Sequence, residues 1–253
     1  MRGAHAMDNT LLVLLLFTSG VACGLINVVA GGGSFLTLPI LIFLGLPAGV
    51  ANGTNRVGIV LQNLAAVVSF RRHEIRTPEF GWGAAAVTSL GSLAGAAWAV
   101  EVSDAALQRI LAILMVVVTV WTLASPPRAG ERQVLAGWRR VVAFCGLFLA
   151  GVYGGFLQAG VGFLILAVTS FAGLDLVRGN AVKVFLILIS SLLSLGVFAW
   201  QGRVAWGWGV VMALGTVLGG LLGVRLTVTK GQRWLRCMLF ATVLAVALKL
   251  WLS

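Results

Sequence analysis

The chain has 253 residues, of which 60% are hydrophobic and only 10% charged, and its mean hydropathy is +1.04. A soluble domain carries about 25% charge, so a water-soluble globular protein is excluded. The net charge of +11 is not gathered on one basic face but falls between apolar runs, which fits membrane topology and argues against a nucleic-acid partner.

Apolar runs at Leu11–Ala30, Val57–Phe70, Ala84–Val100, Ala105–Ala124, Val141–Ala159, Val182–Trp200, Val204–Val224 and Leu235–Leu252 approach or reach the roughly 20 residues of a spanning helix. They predict an all-α, multi-pass protein embedded in the lipid bilayer of the cell (inner) membrane. "LLVLLLFTSGVACG" after Arg2 has signal-peptide character. It has an internal counterpart, however, so it is expected to stay, and a lipoprotein cysteine at Cys23 is disfavoured. Behind the first run comes "AGGGS" (Ala30–Ser34), preceded by Asn27. The apolar segment Ser34–Leu46 is only 13 residues, about 20 Å as helix and too short for the roughly 30 Å hydrocarbon core.

The next helix is expected to open with Asn52, Thr54, Asn55 and Arg56 and to carry Gln62 and Asn63 in its middle. Asn52-Gly53-Thr54 also fits a glycosylation sequon, which says little in a membrane turn. A basic loop follows (Arg71, Arg72, Arg76), then the small-residue face Gly91-x-x-x-Gly95 and a turn holding Glu101 and Asp104. "SPPRAGERQ" (Ser125–Gln133) reads as a linker, with Arg128, Arg132, Arg139 and Arg140 in and after it.

The second half replays the first. "FLGLPAGVANGTN" resembles "FAGLDLVRGNAVK", pairing Gly45 with Gly173 and Asn52 with Asn180 at an offset of 128, which also pairs Gly32 with Gly160, Phe35 with Phe163 and Phe70 with Phe198. "WGAAAVTSLGSLAGA" matches "WGWGVVMALGTVLGG", and "QRIL" matches "QRWL", at an offset shorter by four. Gln158 precedes a second break, "AGVG" (Ala159–Gly162), and a second short segment, Phe163–Leu174. Asn180 and Lys183 open the helix after it, and Ser190 and Ser191 align with Gln62 and Asn63. Gly215-x-x-x-Gly219-x-x-x-Gly223 repeats the packing face, and Asp175 is expected to neutralise Arg178.

Two repeats of about five segments each follow: residues 1–124, a cytoplasmic linker 125–138, and residues 139–253. The loop signs flip between them. The basic Arg71–Arg76 loop corresponds to the sparse "WQGR", and the acidic Glu101–Asp104 turn to the basic "RLTVTKGQR". That predicts inverted repeats, each with a glycine-broken half-helix, and both termini outside.

A non-helical break at membrane depth is tolerated where it is buried in protein or lines a polar cavity. A helix restarting after it points free N–H groups and a positive dipole end inward, an arrangement suited to an anion. Candidate binding residues are therefore Asn27, Gly31, Gly32, Gly33 and Ser34 at the first break, and Gln158, Gly160 and Gly162 at the second. Asn52, Thr54, Asn55, Arg56, Gln62, Asn180 and Lys183 complete the set. The competing readings are tight helix packing for the glycines and snorkelling to headgroups for Arg56 and Lys183.

The run "AGGGSFLTLPIL" followed by "GLPAGVANGTN", a helix and a basic loop, repeated more loosely in the second half, resembles the TauE/SafE family over nearly the whole chain. Its signature here is Gly31, Gly32, Gly33 and Pro39. The second turn has no glycine triplet, and Asn52-Gly53-Thr54-Asn55 departs from the usual flavour. The resemblance implies a permease for sulfite, sulfonates or related small organic anions.

The leading expectation is a secondary transporter of a small anion working by alternating access. The alternatives are an anion channel and a non-transporting membrane partner protein. Coupling to protons or sodium stands beside a uniporter or a potential-driven exporter, since Glu101, Asp104 and Asp175 sit at segment ends. An enzyme is not expected. His5 and His73 lie in a terminus and a loop, and Cys23, Cys145 and Cys237 read as isolated small buried hydrophobes without metal spacing. No cofactor is implied. The small-residue faces suit contacts within one chain or in a homodimer.

Overall fold

The computed structural model describes residues 9–75, 81–124 and 137–252, with side chains outside the description at 9, 114–116, 118–124 and 231–252. Arg76, the Ser125–Gln133 linker with Arg128 and Arg132, His5 and the Cys237 side chain lie outside the described residues.

Nine helices and no strands occur among the described residues: α1 (Asn9–Val29), α2 (Ser34–Phe43), α3 (Ala48–Arg72), α4 (Gly81–Glu101), α5 (Asp104–Ala124), α6 (Trp138–Phe156), α7 (Val161–Phe171), α8 (Leu176–Trp200) and α9 (Trp206–Leu252). Five stretches are long and apolar enough to span a bilayer: Thr10–Val29, Gly81–Glu101, Trp138–Phe156, Leu176–Trp200 and Trp206–Lys230. Trp82, Trp98, Trp138, Trp200 and Trp206 are exposed near helix ends, the placement of an interfacial aromatic belt. The protein is a helical membrane protein.

The helices pair crosswise between the halves. α1 packs along α9, and α4 along α6. Both seams are glycine-lined: Gly20 and Gly24 meet Gly215 and the Thr216 backbone, and Gly219 lies under the Val21 carbonyl. Gly91 and Gly95 lie against the Phe148 and Val152 carbonyls, while Gly151 and Gly155 face those of Thr88 and Ser92. Lipid tails are as apolar as the helices, so close backbone approach and dispersion must hold such seams together. The glycines assigned to packing in the sequence sit in these seams.

α3 is the least apolar of the long helices, yet most of its residues are buried, from Ala48 to Phe70. Its neighbours α8 and α9 shield it. α3 begins where α8 ends, since the Ala205 N–H donates to Thr54 Oγ1 at 2.9 Å. The Arg139 guanidinium at the start of α6 donates to the Phe171 carbonyl at the end of α7 at 2.8 Å. α7 therefore returns to the side from which α6 sets out, and the two form a re-entrant hairpin.

Three expectations are corrected. The turn expected at "RLTVTKGQR" is not formed. α9 runs unbroken from Trp206 to Leu252 over 47 residues, about 70 Å, with no proline in that stretch to break it. The second half thus has four helices rather than five, and the turn that would bring the C-terminus back toward the side of α1's start is absent. α3 and α8 begin before the predicted apolar runs, so Asn52, Asn55, Arg56, Asn180 and Lys183 lie inside helices. Cys23 is buried as expected, but Cys145 is exposed on the apolar outer surface. The Asp175–Arg178 pair forms at 3.6 Å. Asp175 also caps α8, accepting from the Val177 and Arg178 amides at 3.0 Å.

Candidate functional site

The two breaks are stitched differently. After α1, the amides of Ala30 and Gly31 both return to the Ile26 carbonyl, at 2.7 and 3.0 Å. Gly31 then turns the chain at φ +100°, a conformation open to glycine. The Asn27 side chain takes the Gly33 amide at 2.7 Å, which caps the restart at Ser34. After α6, Gln158 (φ +66°) and Gly160 (φ +76°) make the turn, and the Tyr153 hydroxyl donates to the Ala159 carbonyl at 2.5 Å. A bulky non-glycine residue at positive φ stores strain of about 1 kcal/mol or more, a feature concentrated at functional sites.

The breaks meet each other. A Cβ on Gly31 would lie 2.5 Å from the Gly162 carbonyl carbon, and Gly32 lies on the Phe163 ring. Gly33 abuts the Cys23 carbonyl. The glycine clusters thus serve close packing of one half on the other, as the competing reading held. Among the described residues, the amides of Ser34 and Gly162 take no protein acceptor.

Beside this crossing is a cavity of about 10 Å³, lined by Asn27, Gly31, Ser34, Gln62, Asn63 and Gln158, with Ile59, Val161 and Ile187 as its apolar wall. That is room for roughly one water. The carbonyl ends of both glutamines turn into the protein. Gln158 Oε1 accepts from Arg56 Nη1 at 3.0 Å and from the Ser191 hydroxyl at 3.1 Å. Gln62 Oε1 accepts a longer bond, 3.5 Å, from Asn27 Nδ2. Both Nε2 groups stay uncommitted to protein partners among the described residues. The Asn63 side chain donates to the Ile59 carbonyl at 2.7 Å, which leaves its Oδ1 free to accept.

Two cations stand behind this cavity, both 0% exposed. Arg56 donates to Gln158, to Ser194 Oγ at 2.8 Å, to Asn52 Oδ1 at 3.4 Å and to the Gly155 carbonyl at 2.5 Å, with its guanidinium 4.6 Å from the Phe198 ring centre. Lys183 Nζ donates to the Asn27 and Val28 carbonyls at 2.8 and 2.7 Å and to Asn180 Oδ1 at 2.6 Å. Each cation therefore caps the C-terminal end of a broken helix in the opposite half, where the dipole favours positive charge. Asn52 Nδ2 adds a bond to the Phe156 carbonyl at 2.7 Å. Full burial, with four acceptors around Arg56 and three around Lys183, excludes snorkelling for both.

Asn27, Gly31, Ser34, Gln62 and Gln158 thus share one cavity, with Asn52, Arg56, Asn180 and Lys183 one layer behind. Thr54 instead ties down the α8–α9 connection, and Asn55 Oδ1 accepts from Thr37 at 2.7 Å; neither reaches the cavity. The candidate set omitted Asn63, Ser191 and Ser194. Ser190, Ser191 and Ser194 trace a polar stripe at helical spacing on an otherwise apolar segment, which is the signal that could have found them. No cluster of metal-binding side chains occurs among the described residues.

The chain matches the profile of the family described as "Sulfite exporter TauE/SafE" over residues 16–250. It is similar to the "Probable membrane transporter protein YfcA" of Escherichia coli K12, at 29% identity over 96% of this chain and 91% of the relative. It is also similar to a "Probable membrane transporter protein" of Haemophilus influenzae, at 29% identity over 90% and 89% of the two chains. The "Probable membrane transporter protein ORF9" of a Sinorhizobium species is 28% identical over 94% and 92%. No solved structure matches the chain.

Proposed function

The chain belongs to the sulfite exporter TauE/SafE family of membrane transporters, and on that premise we propose that it carries a small anion, sulfite, an organosulfonate or a related oxyanion, across the inner membrane by alternating access. The observation that carries this reading is the pair of uncommitted Gln62 and Gln158 Nε2 donors beside the meeting point of two broken helices. Such donors replace the water around an oxyanion, and the Ser34 hydroxyl and the amides of Ser34 and Gly162 add to them.

A four-heavy-atom oxyanion does not fit in about 10 Å³, so this conformation is closed on the site. Loading then requires the α1–α2 and α6–α7 hairpins to separate. The crosswise seams and the opposed directions of α3 and α8 support inverted repeats rocking on each other. Closure around a single-water cavity favours a transporter over an open channel. With no carboxylate inside the spans among the described residues, driving by the anion's own gradient and the membrane potential is favoured over a proton relay. Saturable sulfite or sulfonate uptake into proteoliposomes, lost on Gln158→Ala, is the expected outcome; uptake that never saturates favours the channel, and none at all favours the partner-protein reading.

A further inference from the structure

We propose that this site is matched to a doubly charged anion in preference to a singly charged one of the same shape, an inference that rests on the anion-transport reading above. It follows from a count of charge around the cavity. Arg56 and Lys183 are both wholly buried, and every acceptor they touch is a neutral amide, hydroxyl or carbonyl. The acidic residues among the described ones, Glu74, Glu101, Asp104 and Asp175, all lie at or beyond helix ends. Among the described residues, no carboxylate therefore answers either cation.

The helix ends answer them only in part, because the C-terminus that each cation caps stands beside the N-terminus at which the next helix restarts. A helix C-terminus supplies about half a negative charge and an N-terminus about half a positive one. Two C-termini (α1, α6) and two N-termini (α2, α7) converge at the breaks, so the four cancel. What remains is a surplus of two positive charges in a water-poor interior, where unpaired charge is costly.

The surplus is coupled to the cavity by the walls. Arg56 holds the oxygen of Gln158, and Lys183 holds the backbone carbonyl of Asn27, so each half of the protein contributes one cation behind a wall residue of the other half. Polarising Gln158 through its oxygen strengthens Nε2 as a donor on the cavity side. The guanidinium also keeps Nε without a partner although it is buried. An orphaned donor leaves the bonding of that buried cation incomplete.

The experiment compares ligands of one shape and different charge on the purified full-length protein at matched ionic strength. Methylphosphonate, held above its second ionisation, and sulfate are the dianions; methanesulfonate is the monoanion. Affinities come from the concentration dependence of thermal stabilisation. The dianions are expected to bind at least about tenfold tighter. Arg56→Lys keeps the charge and should keep the preference, whereas Arg56→Gln and Lys183→Met should each shift it toward the monoanion. Variants that fail to fold leave the wild-type comparison decisive. Methanesulfonate binding as tightly as the dianions overturns the charge matching while leaving anion transport intact; no response to any anion overturns both.

Discussion

Replacing Gly31 by alanine tests the crossing on which the site is built. The new Cβ would stand 2.5 Å from the Gly162 carbonyl carbon, 2.6 Å from its Cα and 2.8 Å from the Phe163 nitrogen. Unstrained carbon–carbon contact is about 3.5–4.0 Å, so backbone on one side must move by about 1 Å. Two costs add: about 1–3 kcal/mol for a side chain at φ +100°, and about 1–3 kcal/mol for overpacking against backbone that cannot rotate away. Gly45→Ala separates them, because Gly45 has φ +90° but nothing within 4 Å of the added carbon. In thermal unfolding of the detergent-purified protein, Gly31→Ala should lose about 1–3 kcal/mol more than Gly45→Ala, and it alone should lose saturable uptake in proteoliposomes. Equal stability of the two variants, with wild-type uptake by Gly31→Ala, would refute the reasoning.

Gln158→Glu should move stability and binding in opposite directions. A carboxylate against the buried Arg56 strengthens that bond by about 1 kcal/mol and raises the unfolding temperature, while anion affinity falls by about tenfold or more; titration with sulfite, read by thermal shift, checks both. Gly219→Ala and Gly95→Ala, each placing a methyl against a carbonyl of the neighbouring helix, should cost about 1–3 kcal/mol by the same unfolding assay. Gly196→Ala, with open space around it, should instead gain up to about 1 kcal/mol. Asp175→Ala removes a helix cap worth about 1 kcal/mol and should leave uptake per folded molecule unchanged in flux assays.

The breaks were legible in the sequence because glycine clusters inside apolar runs contradict helix propensity, and only a constraint at membrane depth keeps them there. Asn27, Ser34, Gln62 and Gln158 were legible for a related reason: a polar side chain in an apolar run must find a partner or a cavity. Less legible was which role each plays. Gly31 and Gly32 face the other half's backbone and ring, and no local pattern announces a contact with a segment more than a hundred residues away. Arg56 and Lys183 could be read as snorkelling or as ligands, because their caps on α6 and α1 are visible only once the halves are packed. Thr54 and Asn55 share a turn with Asn52 but face other neighbours, since adjacent helical positions point about 100° apart. The continuity of α9 was misread because loop charge, which orients spans, does not itself break a helix.

The central claim is that an anion sits between the two broken helices, and anomalous diffraction from crystals grown with selenate or selenite tests it most directly. The account predicts a selenium peak within hydrogen-bonding reach of the Gln62 and Gln158 side chains, with the Gly31 and Gly162 backbones further apart than here. A peak confined to the surface arginines Arg71 and Arg72, with the Gly31–Gly162 contact closed and the cavity empty, would contradict it.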